Sequence, residues 1–88
     1  MRLSKQKRDK IAEQILAQLY QIFPKASFTA EIAREIARDE EFIKDLLFEL
    51  KEKSLVILIK KNPQGSFYSR RQRWQLSPKA QEAYSKHQ

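Results

Sequence analysis

The apolar positions of this 88-residue chain recur at helical spacing over most of its first half and at alternating spacing near its end. Ile11, Ile15, Leu19, Ile22 and Phe23, widened by Ala12 and Leu16, predict a first helix over residues 4–23, with Ser4 as N-cap and Pro24 as its stop. Ala26-Ser27-Phe28 reads as a short extended piece. Thr29 then reads as the cap of a second helix over Ala30 to Arg38, with Ile32, Ala33, Ile36 and Ala37 inward. Asp39 caps a third helix from Glu40 to about Lys53, in which Ile43, Leu46, Leu47 and Leu50 form a tight stripe. Helix, short link, helix at this spacing is a helix-turn-helix arrangement.

Beyond the third helix the period changes. Leu55 to Ile59 is an apolar, β-branched run, Asn62-Pro63-Gln64-Gly65 is turn chemistry, and Ser66 to Leu76 alternates, which predicts a hairpin. Trp74 and Leu76 share one face of its second strand with Arg70 and Gln72, and are expected to close the core under the sheet. Ser77-Pro78 opens a last short helix through Ala80, Ala83 and Tyr84. The fold class is mainly α with a small antiparallel hairpin, a single domain over residues 1–88 with frayed ends at 1–7 and 86–88.

Composition limits the class. With 41% hydrophobic residues the chain can bury a small core without staples, and it has no cysteine for a disulfide or thiolate metal site. The longest apolar run, Leu55 to Ile59, is far too short to span a bilayer, and Met1 to Lys5 lacks the apolar centre of a signal peptide. A soluble, cytoplasmic protein is expected, associated with the nucleoid if the source is prokaryotic, with no membrane partner.

Charge adds direction. The formal net charge is +7, which favours a polyanionic partner, nucleic acid first. Residues 1–10 carry +4 (five cations, one acid), residues 11–28 are neutral, residues 29–54 carry −3 (five cations, eight acids), and residues 55–88 carry +6 (seven cations, one acid). The hairpin holds five cations, Lys60, Lys61, Arg70, Arg71 and Arg73, with no acid between them.

Two stretches resemble a known family. Phe28-Thr29-Ala30-Glu31-Ile32-Ala33 resembles the opening of the second helix in MarR-like and related regulators. Trp74-Gln75-Leu76-Ser77-Pro78-Lys79-Ala80 is similar to the strand, Leu-Thr/Ser-Pro-Lys-Gly exit from the wing in the same regulators, with Ala80 where glycine is frequent. The element order, over about residues 8–86, is that of the winged-helix superfamily. The resemblance implies a winged helix-turn-helix, α1-(β1)-α2-α3-β2-wing-β3-α4, that binds double-stranded DNA and regulates transcription. It further implies a third helix directed at the major groove and a hairpin, the wing, lying on backbone or in a minor groove.

The third helix departs from that expectation. At 100° per residue, the face opposite its apolar stripe is centred on Glu41, Asp45, Phe48 and Glu52, with Lys44 and Lys51 to the sides. Carboxylates facing phosphates work against affinity, and an outward centre without Arg, Asn or Gln is a poor base reader. Two readings follow. In the first, DNA is gripped by Lys60, Lys61, Arg70, Arg71 and Arg73, with Lys44, with Arg34 and Arg38 of the second helix, and with Lys5 and Arg8 at the start of the first. In the second, Glu41, Asp45, Phe48 and Glu52 form a contact face for a protein partner. A homodimer would double the phosphate contacts, although neither the first nor the last helix shows an extra apolar face that demands one. The electrostatic signal is the same for structured RNA.

Catalysis is not expected. The one histidine, His87, lies at the end of the chain without neighbouring ligands, and no nucleophile is paired with a base. Glu41, Asp45 and Glu49, at four-residue steps, read as a solvated helix face with Lys44 and Lys51 between them, so neither a metal nor a cofactor is implied.

Overall fold

The computed structural model describes residues 4–59 and 72–86. Helix α1 (Lys5–Ile22) starts where the Ser4 hydroxyl accepts from the Lys7 N–H at 3.3 Å, so Lys5 to Lys7 already form its first turn. That turn has no acid, and its cations oppose the helix dipole. Ile11, Ile15, Leu16 and Leu19 are buried, as their spacing predicts, while Ala12, Ile22 and Phe23 stay half-buried at the edge.

Strand β1 (Ser27–Phe28) leads directly into α2 (Thr29–Ile36). The helix therefore begins one residue earlier than expected, and Thr29 is inside it rather than capping it. The Thr29 N–H donates to the Gln72 carbonyl at 3.1 Å, and Glu31 Oε1 reaches back to accept from the Phe28 N–H at 3.1 Å. These bonds satisfy two of the donors that every helix start leaves open. The helix also stops two residues short of Arg38. Ala37, expected inward, is exposed and left-handed at φ 61°, and the Arg38 N–H returns to the Ala33 carbonyl at 3.0 Å. This is a Schellman closure built on alanine, at a cost of about 1 kcal/mol relative to glycine.

Helix α3 (Glu40–Glu52) is capped by Asp39, whose carboxylate accepts from the Phe42 N–H at 3.2 Å. Its far end closes in the same way as α2, with Ser54 at φ 64° and the Leu55 N–H on the Leu50 carbonyl at 2.9 Å. Ile43, Leu46, Leu47 and Leu50 are all buried.

Strands β2 (Val56–Ile59) and β3 (Arg73–Leu76) complete an antiparallel sheet of order β1-β3-β2. Its register pairs Ser27 with Trp74, Leu58 with Trp74, and Val56 with Leu76. Those residues face the helices, and Trp74 and Leu76 are both fully buried. The opposite face carries Phe28, Ile57, Ile59, Arg73 and Gln75. Residues 60–71, which include the expected turn and wing tip, lie outside the described residues.

Helix α4 (Pro78–Lys86) opens with the Ser77 hydroxyl accepting from the Ala80 N–H at 3.1 Å. It lies against α1 through Tyr84, whose ring stacks on Tyr20 with centroids 5.4 Å apart. Burial, and secondarily the charge of Glu13, raise the Tyr84 phenol above its ordinary pKa. Among the described residues no helix is long and apolar enough to cross a membrane.

Candidate nucleic-acid interface

Three elements meet at one side chain. The Trp74 indole, fully buried on β3, donates through Nε1 to the Thr29 hydroxyl at 2.7 Å. That hydroxyl in turn lies 3.4 Å from the Gln72 carbonyl, to which it donates. An indole N–H can only donate, so a buried one needs such an acceptor. On the α3 side, the Phe48 ring meets Trp74 edge to face, with centroids 5.2 Å apart and planes at 89°. Phe48 is thus both exposed, at 37%, and anchored. The start of α2, the middle strand of the sheet and the outward face of α3 are fixed to one another here.

The outward face of α3 is acidic, and the acids divide by role. Glu40 and Glu41 occupy the first turn, where negative charge complements the helix dipole, and Lys51 does the converse in the last. Glu41 also pairs with Lys44 at 3.3 Å. Glu49 receives the Arg8 guanidinium, which additionally lies 5.5 Å from the centre of the Phe42 ring. Asp45 and Glu52 have no ion pair among the described residues. Part of the acidity therefore belongs to folding, in capping and in holding α1 to α3.

The expected cations fall into three groups. Lys60, Lys61, Arg70 and Arg71 lie outside the described residues. Arg73 stands at the first position of β3, half-buried on the outer sheet face opposite Phe28 and Ile59. Arg34 and Arg38, near the end of α2, and Lys5 are exposed and make no ion pair among the described residues. Lys44 and Arg8 are engaged with Glu41 and Glu49. A phosphate would compete with Glu49 for the Arg8 guanidinium. Sequence reasoning missed the Thr29–Trp74 bond and the Arg8–Glu49 pair, whose partners are 45 and 41 residues apart. Among the described residues no group of three or more His, Cys, Asp or Glu could hold a metal ion.

A helix-turn-helix pair packed on a three-stranded antiparallel sheet, with α4 following β3, defines a winged-helix fold. No protein-family model and no curated protein sequence matches the chain. Solved structures do match. MepR of Staphylococcus aureus in its DNA-binding conformation aligns with a TM-score of 0.71 at 20% identity, over 92% of this chain and 60% of MepR. MepR in complex with DNA aligns at 0.64 and 26% identity, over 93% of this chain and 73% of that one. ZitR of Lactococcus lactis, as an apo variant, aligns at 0.65 and 21% identity, over 93% of this chain and 59% of ZitR. The chain thus spans about three fifths of the length of MepR in its DNA-binding conformation. The likeness to MarR-like winged-helix regulators, expected from the two sequence stretches, holds for the fold.

Proposed function

We propose that this chain binds double-stranded DNA as the winged-helix part of a transcription regulator, with the basic hairpin as its main phosphate contact. The observation that carries the reading is the division of charge between α3 and the sequence that joins β2 to β3. The outward face of α3 is dominated by carboxylates, whereas the hairpin sequence between β2 and β3 contributes Lys60, Lys61, Arg70 and Arg71 with Arg73 beside them. Non-specific affinity comes from cations that displace counterions from phosphates, so it should come from the hairpin and not from α3. Arg34 on α2 and Arg38 just beyond its C-cap add exposed cations, and Lys5 does so on α1. The likeness to MepR in its complex with DNA supports the partner. A homodimer would present two hairpins to one duplex and steepen the salt dependence accordingly.

The test is fluorescence anisotropy of a mixed-sequence DNA duplex titrated with the protein at two salt concentrations. Binding should weaken steeply with salt, and reversing Arg70 and Arg71 to Glu should remove most of the affinity and flatten the log–log slope by about two. Unchanged binding in the reversed variant would overturn the hairpin-led reading. No binding at low salt would overturn the DNA reading, and equal affinity for structured RNA would change the partner.

A further inference from the structure

The hydroxyl of Thr29 lies beside the start of β3 in a largely buried site: Thr29 is 5% exposed and Trp74 is 0% exposed. It has one proton and two lone pairs, and both kinds of capacity are in use. It accepts from Trp74 Nε1 and donates to the Gln72 carbonyl, which also accepts from the Thr29 N–H. Gln72 directly follows Arg70 and Arg71 in the chain and precedes Arg73. Fixing the Gln72 carbonyl therefore fixes the residue that directly follows Arg70 and Arg71 in the chain. The ladder alone is a weak anchor on this edge, because β1 contributes only Ser27 and Phe28. The other end of the connection is α3, reached through the Phe48 ring on the Trp74 indole.

We propose that Thr29 is the positioning residue of the interface, its hydroxyl holding β3, and with it the exit of the basic hairpin, at a set offset from the α2–α3 pair. The proposal rests on the nucleic-acid reading for its purpose, and on the Thr29–Trp74–Gln72 contacts for its mechanism. Hairpin cations at a fixed offset engage phosphates together; on a loosened strand they engage fewer, so affinity and salt slope fall together. Valine keeps the branched shape of Thr29 and removes only the hydroxyl, leaving the indole N–H without its acceptor.

The experiment uses the full chain in three forms, wild type, Thr29→Val and Thr29→Ser, with two readouts: anisotropy on a mixed-sequence duplex at about 50 and 200 mM salt, and amide hydrogen exchange. Thr29→Val should bind roughly ten-fold more weakly with a salt slope shallower by about one. Its β3 amides, Trp74 to Leu76, should exchange at least about ten-fold faster while those of α1 at Ile15 to Leu19 are unchanged. Thr29→Ser should restore both. Trp74→Phe removes the donor instead of the acceptor and should move both readouts in the same direction, which keeps the test available if valine perturbs folding. Wild-type affinity and slope in Thr29→Val, or β3 exchange that rises only in step with α1, would overturn the proposal. Selective loosening of β3 together with a wild type that binds no duplex would support the strand-holding role and overturn the nucleic-acid reading.

Discussion

On one flank of its outward face, α3 sets Phe48 against a Trp74 that is fully buried and hydrogen-bonded to Thr29; on the other, Phe42 and Glu49 receive Arg8 from the start of α1. Both contacts hold the same helix, but they belong to different physical regimes. The Trp74 flank is dry at its inner end, where the indole is fully buried, although Phe48 itself is 37% exposed; its strength comes from apolar contact and a buried hydrogen bond. The Arg8 flank is wet, with the two side chains 32% and 52% exposed, so solvent and salt screen it. The dry flank fixes where α3 sits relative to the sheet. The wet flank can open at little cost and release a cation that the proposed interface would use.

Substitutions on the two flanks separate these regimes. The largest effect should come from Trp74→Ala, which empties the centre of the core and removes the donor from which the Thr29 hydroxyl accepts. A loss of about 3 to 5 kcal/mol is expected in denaturant titration, enough to unfold a marginal chain of this size. Phe48→Ala removes a half-exposed ring and its edge-to-face contact, and should cost about 1 to 2 kcal/mol, independent of salt. Glu49→Gln should cost less, about 0 to 1 kcal/mol, and the difference from wild type should vanish in high salt. A salt-dependent Phe48→Ala or a salt-independent Glu49→Gln would break the distinction between the flanks.

The α1–α4 seam provides a control with the smallest effect. Burial raises the pKa of the Tyr84 phenol, so the folded state holds that proton more tightly than the unfolded chain. The resulting stability is present below the unfolded value, about 10, and is lost as pH rises through the folded-state value. Thermal melts across the alkaline range should show that decline in wild type and its weakening in Tyr84→Phe, with neither flank of α3 involved.

Those flanks also divide what the sequence could show from what it could not. The stripes Ile11–Ile15–Leu19 and Ile43–Leu46–Leu47–Leu50, the Asp39 and Ser77 caps, and the inward pair Trp74 and Leu76 depend on neighbours within one or two turns or along one strand. Periodicity and capping chemistry suffice to read them. Thr29 reads as a cap for the same reason. A threonine before Ala-Glu-Ile is a good N-cap by local rules, and only folding brings Trp74 and the Gln72 carbonyl within its reach. Ala37 reads as inward on the same local grounds, because a left-handed closure is usually signalled by glycine, and the chain's one glycine, Gly65, lies elsewhere. The acidic outward face of α3 was legible as charge. Its partial assignment to the helix dipole and to Arg8 required the tertiary contacts.

Trp74 is the chain's one tryptophan, and it touches both Thr29 of α2 and Phe48 of α3 from its place on β3. The protein therefore carries a built-in optical reporter at this junction. A sheltered indole emits at shorter wavelength than a hydrated one, so its emission colour follows the wetting of this site without any label or added dye. A shift toward the red before the helical circular dichroism is lost would mark the opening of the hairpin base as a separate event, ahead of global unfolding.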